Sequence, residues 1–317
     1  MPSSNLLSNP QIRSADALAV ADAAARLRSG DIVAIPTETV YGLAADASNA
    51  DAVAKIYAAK GRPDFNPLIV HVPDREAAEA IAHFDALAAI LADAFWPGPL
   101  TLVLPLHPQA PVATAVTAGL ATIAIRCPAH PVMRSILLAS GLSLAAPSAN
   151  RSGSISPTRA DHVATSLQGA VPLIIDAGPC QAGLESTIVA VRDNGWQILR
   201  PGPVTAAEIE AIAGCPPLSE GTDRIEAPGQ LASHYAPAKP VRLNAEAAQD
   251  HEWHIGFGAV TGDDNISSSG NLAEAAANLF AALHRADASE RTAIAVAPIP
   301  THAIGEAIND RLQRAAL

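Results

Sequence analysis

From Ser14 onward the chain alternates between helical and strand-like spacings of its apolar residues. Apolar positions at helical spacing through Leu18, Ala25 and Leu27 predict a helix capped by Ser14 and stopped at Gly30. Ile32 to Ile35 reads as a strand ended by Pro36. Asp51 to Lys60 reads as a helix closed by Gly61 and Pro63, and Leu68 to Val72 as a strand. Arg75 to Phe95 reads as two helical pieces broken near His83 to Asp85. The run Trp96-Pro97-Gly98-Pro99 ends them before a strand at Leu100 to Leu104. Further strands are expected at Thr122 to Arg126, Ser143 to Ala146, Leu173 to Asp176, Thr187 to Val191 and Gln197 to Leu199. Further helices are expected at Pro131 to Ser140, Arg159 to Leu167 and Thr205 to Ala213. This alternation predicts an α/β domain on a twisted, mixed sheet.

The pattern changes after Ala213. Cys215 to Gln230 is rich in Pro, Gly, Ser and Thr and reads as a linker. Pro240 to Leu317 then carries its own βαβα pattern. It has a strand near Val241, a strand around Ile255 to Val260, a helix from Leu272 to Leu283, a strand Ala293 to Val296, and a last helix ending at Leu317. The expected division is a large domain over 1–214, a linker over 215–239, and a small, Rossmann-like α/β domain over 240–317.

Composition narrows the class. Of 317 residues, 49% are apolar, much of that alanine, and only 16% are charged, which excludes a disordered chain. A net charge of −11 argues against a general nucleic-acid-binding surface. An acidic chain that binds an anion must gather its few cations in one place, so Lys and Arg within motifs carry information. Cys127, Cys180 and Cys215 are far apart without a CxxC pair and read as reduced, buried, small apolar residues. Met1 to Pro10 lacks the apolar core of a signal peptide, and no apolar run approaches a membrane span. A soluble, cytoplasmic protein without membrane partners is expected.

Five constellations could carry chemistry. Pro36-Thr37-Glu38-Thr39-Val40-Tyr41-Gly42-Leu43 leaves a strand end, where α/β sheets bind ligands, although its hydroxyls could equally satisfy their own turn. Lys60-Gly61-Arg62-Pro63 and Asn66-Pro67-Leu68-Ile69-Val70-His71 offer phosphate donors, or simple helix capping by cations. His71 by itself reads as a satisfied core histidine. Alternation puts Thr122 and Arg126 on one strand face, so Arg126 either grips a carboxylate or phosphate or marks an exposed edge. Ala145 to Gly153 with Ser156-Pro157-Thr158 is dense in hydroxyl, amide and backbone donors, as anion sites are and as many plain loops are. Glu185-Ser186-Thr187-Ile188-Val189 with Arg200-Pro201-Gly202 reads as a site or a structural hairpin. Phosphate-loop, dinucleotide, serine-hydrolase and zincin signatures are absent, and His251 and His254 lack a third metal ligand.

In order, PTETVYGL, KGRPDFNPLIVH, WPGPLTLVL, TIAIRCPAHP, APSANRSGSISPT, ESTIV and LRPG resemble the YrdC-type domain of threonylcarbamoyl-AMP synthases, over roughly Ser14 to Gly214. PGQLASHYAP (Pro228 to Pro237) and AINDRLQRAA (Ala307 to Ala316) resemble the long, two-domain form of that family.

The resemblance implies that L-threonine and bicarbonate or carbon dioxide form a carbamate, which attacks the α-phosphate of ATP and releases pyrophosphate. A separate transferase complex then carries the group to the adenosine beside a tRNA anticodon. Direct tRNA binding has little support in an acidic chain. Matched to the family pattern, Thr39, His71, Arg126 and Ser186, with the backbone at Ala146, are expected to hold threonine or its carbamate. Lys60, Arg62, Asn66, Thr122, Ser148, Ser156 and Arg200 are expected to hold ATP. Tyr235, with His234, is expected to fold over the site as a lid and reach ATP. Mg²⁺ is expected with ATP, without protein side chains assigned to it. The short stretch between Val260 and Leu272 departs from the family pattern. Two other readings are a double-stranded RNA-binding or ribosome-assembly factor without ATP turnover, and a carbamoyl-adenylate enzyme like part of the hydrogenase maturation proteins. The acidic balance opposes the first, and the HYAP linker opposes the second.

Overall fold

The computed structural model describes residues 10–218, 226–230 and 234–317. The linker expected over 215–239 thus lies partly outside the described residues. Strand β1 (Gln11–Ser14) precedes helix α1 (Ala17–Arg28). Asp16, not Ser14, caps α1, because Ser14 is held in β1 while the Asp16 carboxylate accepts the Ala19 amide at 2.7 Å. β2 (Val33–Ile35) returns antiparallel as β3 (Gly42–Asp46), so the tail of the PTETVYGL motif is itself a strand. α2 (Ala50–Lys60) starts at Asn49, whose side chain accepts the Asp51 and Ala52 amides. It stops at Gly61, which takes the left-handed conformation at φ 57°.

The chain continues through β4 (Ile69–His71), α3 (Arg75–Glu79), α4 (Ala86–Phe95), β5 (Leu100–Pro105), α5 (Thr114–Thr117), β6 (Thr122–Arg126) and α6 (Pro131–Ser140). β7 (Leu144–Ala145), α7 (Ala160–Leu167), β8 (Leu173–Asp176), the hairpin β9 (Thr187–Arg192) and β10 (Gly195–Arg200), and α8 (Ala206–Ala213) complete the large lobe.

Ten strands form one mixed sheet in the order β1-β8-β2-β3-β7-β4-β6-β5-β9-β10. Alternate residues face opposite ways. Val33 and Ile35 pack with Leu27 of α1 and Leu137 of α6, while Ala34 and Leu43 join Ile56 of α2 and Leu91 of α4. β6 lies between β4 and β5, so Arg126 is 3% exposed and the exposed-edge reading does not hold.

The small lobe contains β11 (Val241–Arg242), β12 (Glu252–Gly256), β13 (Asp264–Asn265), α9 (Leu272–Ala288), β14 (Ala293–Val296) and α10 (Gly305–Ala315). Its sheet is all parallel, ordered β11-β14-β12-β13. The strand expected at Ile255 to Val260 starts earlier and ends at Gly256, because Phe257 to Val260 close a turn through the Val260 amide and Phe257 carbonyl. The pattern is therefore βββαβα, not βαβα. Its core continues into the large lobe, where Val40, Ile155 and Leu184 pack in one cluster with Tyr235, Phe280 and Leu283. Among the described residues, no helix is long and apolar enough to cross a membrane. All three cysteines are unbonded thiols, Cys127 and Cys180 buried and Cys215 partly so.

Candidate active site

The β2–β3 turn and the C-terminal ends of β4 and β6 build one end of a pocket. Thr37 serves the turn itself: its hydroxyl accepts the Thr39 and Val40 amides at 3.2 Å and donates to the Val40 carbonyl at 2.7 Å. Thr39 faces inward instead, and its hydroxyl accepts Arg126 Nη1 at 2.9 Å. Arg126 Nε donates to the Gly98 carbonyl at 3.1 Å, and Nη2 pairs with the Glu38 carboxylate at 2.5 Å. Three neighbours thus fix the plane of one buried guanidinium. Burial alone would raise the Glu38 carboxyl, but Arg126 pulls it below the usual carboxylate range. His71 pairs with Arg126 in the sheet register and lines the pocket. Burial, helped by the Arg126 charge, lowers it to about 3, so the ring is neutral at physiological pH. Its Nδ1 has no partner among the described residues, so the satisfied-core reading of His71 fails.

The other end holds the remaining cations. Gly61 ends α2, and the side chains on either side of it turn inward. Lys60 Nζ donates to the Ser148 and Asn150 carbonyls at 2.5 and 2.6 Å. Arg62 donates to the Asn66 and Pro67 carbonyls at 3.1 and 2.7 Å. Helix capping does not describe these residues, because both side chains tie loops around the pocket. Burial drives Lys60 well below its ordinary value and lowers Arg62 to about 10. Arg200, closing β10, grips the Ser186 carbonyl through Nε and Nη2 at 3.1 and 2.9 Å. Lys60, Arg62, Arg126, Arg200 and Arg311 are all buried, against the buried carboxylates Glu38 and Glu185. An acidic chain has thus concentrated positive charge in one cleft, which suits a polyanion.

His234 and Tyr235 cover this cleft, with 7% and 1% of their surface exposed. Their rings meet edge to face at 4.1 Å. Tyr235 is held from the small lobe: the Arg311 guanidinium of α10 lies 5.1 Å over its ring. Arg311 Nε also pairs with Glu185 Oε2 at 2.8 Å, and Nη2 donates to the Pro201 carbonyl at 2.9 Å. Gly229 lets the linker pass, at φ +85°, where an added Cβ would lie 2.8 Å from Arg200 Cδ and 2.9 Å from the Tyr235 hydroxyl. Gly229→Ala is therefore expected to lift the lid. Protease cleavage within the linker should speed up while the rest of the fold persists, and a native-like digestion pattern would refute this.

The structure brings Thr39, His71, Arg126, Ala146, Ser148, Ser186, Arg62, Arg200, His234 and Tyr235 onto the pocket wall. It does not put Lys60, Asn66, Thr122 or Ser156 on that wall. Lys60 is turned to carbonyls, and the Ser156 hydroxyl donates to Glu185 Oε1. Thr122 starts β6, four residues and about 13 Å from Arg126 along the strand. Continuing the Ile69–Ala124 register two residues back sets it level with Pro67, beside Asn66. Both side-chain polar atoms of buried Asn66 lack partners among the described residues. Sequence reading gave no role to Glu185 or Arg311, although each sits inside a quoted motif, and offered Glu38 only as a carboxylate for a small polar ligand, not as the partner of Arg126. Among the described residues no group of three His, Cys, Asp or Glu side chains could hold a metal. His254 Nε2 faces the Ala245 carbonyl at 3.0 Å.

A mixed sheet thus buries a cationic pocket under a linker, with a second, parallel sheet behind it. The chain matches the Sua5/YciO/YrdC family, described as telomere recombination, over residues 25–202. It matches the threonylcarbamoyl-AMP synthase C-terminal domain over residues 204–317. It is 41% identical to a Bacillus subtilis threonylcarbamoyl-AMP synthase, covering 94% of this chain and 92% of the relative. It is 38% identical to the Pyrococcus abyssi one, covering 93% of each. The crystal structure of P. abyssi Sua5 complexed with L-threonine superposes with a TM-score of 0.89 at 35% identity, over 96% of this chain and 97% of that one. The chain belongs to the threonylcarbamoyl-AMP synthase family.

Proposed function

We propose that this protein makes threonylcarbamoyl-AMP and pyrophosphate from L-threonine, bicarbonate or carbon dioxide, and ATP, for the modification of tRNA beside the anticodon. The observation that carries this is Arg126, a buried guanidinium fixed by Gly98, Thr39 and Glu38 at the inner end of a cationic cleft. Such a fork suits the threonine carboxylate. Neutral His71, with Nδ1 free to accept, faces the amine or its carbamate. The amine nitrogen bonds carbon dioxide and loses a proton. A carbamate oxygen then attacks the α-phosphorus, and the bond to pyrophosphate breaks. Arg62, Arg200 and Ser148 line the ATP end, with Lys60, Asn66, Thr122 and Ser156 behind that wall, and the cations offset phosphate charge. Positioning, not a protein nucleophile, supplies the catalysis. Tyr235 and His234 shut water out.

The residues do not fit a resident metal, because Glu38 and Glu185 are each ion-paired to an arginine. Mg²⁺ enters this reading only as the ion that ATP brings. Residues 1–214 carry the chemistry, 215–239 the lid and 240–317 its support, and a cytoplasmic location accompanies the reading. The adenylate passes to a separate transferase complex on tRNA. The RNA-binding reading has no support from the relatives.

Pyrophosphate release from ATP and bicarbonate, with and without threonine, tests the proposal. Threonine-dependent release is expected, and none from folded protein would overturn it. Arg62→Ala is expected to raise KM for ATP about tenfold, the loss of one charge-assisted contact. An unchanged KM would remove Arg62 from the ATP end.

A further inference from the structure

Outside the pocket, two imidazole rings join the lobes. His162 of α7 and His284 of α9 stack with centroids 3.9 Å apart and planes at 26°. Neither belongs to the site residues read from the sequence. His284 Nε2 lies 3.1 Å from the Ser156 carbonyl, and the Thr158 amide donates to His162 Nδ1 at 3.3 Å. The tautomers follow from these partners. Facing a carbonyl, His284 Nε2 carries its proton; facing an N–H, His162 Nδ1 is bare.

Residues 156–158 form a strap between the two rings and the pocket. The Ser156 hydroxyl donates to Glu185, which lines the pocket. The Pro157 carbonyl accepts the Tyr41 amide at 2.8 Å, beside the threonine end. The Thr158 carbonyl accepts the Cys180 amide at 3.0 Å. The strap is thus fixed on its inner side by Glu185, Tyr41 and Cys180 and on its outer side by the two histidines. A cleft of about 520 Å³ opens beside the rings, with Arg151, Ser166 and Asp287 among its walls.

We propose that the His162–His284 stack is a positioning pair for the ATP end of the site, holding the Ser156–Thr158 strap in place while the rings are uncharged. The proposal rests on the assignment of Ser156 to ATP. Protonating His162 at Nδ1 would set N–H against the Thr158 N–H, and charging either ring would stack a cation on its neighbour. The charged groups facing the pair come from both lobes. Arg159 and Asp161 flank His162 and pair with each other at 3.3 Å. Arg285 and Asp287 flank His284, and Arg285 pairs with Asp264 at 2.5 Å. Arg151 stands across the cleft. Arg159 and Arg285 thus have carboxylate partners of their own, and the rings' own burial and mutual contact dominate. Burial, then His284, lowers His162 to about 3, and burial lowers His284 as well. With depressed values in the fold, the contribution of the neutral stack is complete above the ordinary histidine range. It is lost as pH falls from there towards the folded value.

His284→Leu removes the donor to Ser156 and is expected to weaken ATP binding about tenfold at about pH 8. The change should appear in KM and in the calorimetric Kd for ATP alone, with kcat altered far less. His284→Gln keeps a donor, and His162→Asn keeps an acceptor for Thr158. The double variant should restore ATP affinity to within about threefold, yet lack the acid weakening of the unmodified protein as pH falls from about 6 towards about 3. Native-like affinity in His284→Leu, or equal acid sensitivity in the double variant and the unmodified protein, overturns the proposal. If His284→Leu does not fold, amide exchange at Ser156 and Thr158, corrected for intrinsic rates, decides. Protection lost on acidification in the unmodified protein but kept in the double variant supports the pair, and identical behaviour overturns it. Neither Kd nor exchange needs turnover, so absent threonine-dependent turnover would strike the proposed function separately.

Discussion

Arg126→Ala is expected to lower kcat/KM for threonine by roughly a thousandfold, the counterpart of about 4 kcal/mol for breaking a buried ion pair and its ligand contact. Two losses combine. On the proposed reading the threonine carboxylate loses its planar partner, and Glu38 is left in a buried site without a counter-charge. KM for ATP should move far less, because Arg62 and Arg200 do not touch Arg126 through any hydrogen bond among the described residues. Arg126→Lys keeps the charge but not the fork that reaches Gly98, Thr39 and Glu38 together, so it should recover little. The second change, Glu38→Gln, added to Arg126→Ala, should recover part of the stability and none of the activity. Steady-state kinetics in threonine with thermal melts of all three variants checks this. Unchanged threonine kinetics in Arg126→Ala would remove Arg126 from the site.

Arg311→Ala should have the largest effect on stability. The side chain is fully buried and joins Glu185, Pro201 and Asp310 while covering Tyr235. Its loss leaves Glu185 buried without its main partner, a cost of about 3–5 kcal/mol, or on the order of 10 °C in Tm for a protein of this size. The pH dependence has a definite sign. Burial would raise the Glu185 carboxyl, but Arg311 and Arg200 hold it below its ordinary value. Its stabilisation is therefore complete above the usual carboxylate range and is lost as pH falls through the depressed value. Arg311→Ala should flatten that acid limb of the stability curve. Melting curves across the acid range would show it, and a variant that melts like the unmodified protein at neutral pH would refute the assignment.

Sequence showed most where local chemistry decides structure. Thr122–Arg126, Leu173–Asp176, Ala293–Val296 and Pro131–Ser140 have the bounds expected from their apolar runs and flanking Pro or Gly. β3 escaped because Gly-Leu-Ala-Ala-Asp has no β-branched residue, and β1 because Gln-Ile-Arg-Ser has no apolar run. Both are strands by virtue of their neighbours. The motifs gave Arg126 and Thr39 as candidates, but the central position of β6 is a property of the whole sheet. Arg311 reads as the polar side of an amphipathic helix. A carboxylate 126 residues away, together with Asp310 and the Pro201 carbonyl, explains its burial.

The pairing of β1 has a consequence for how the protein is made. Gln11 meets Leu173, so β1, once synthesised, waits for a partner 162 residues later. At roughly 5–20 residues per second, that is about 8–30 s of synthesis. β2 waits for the same partner, β8. During that interval the growing chain carries strands with open hydrogen-bonding edges. The brevity of β1, and the charge of Arg13 within it, then protect the nascent chain from its neighbours on the same polysome before the sheet exists to receive it.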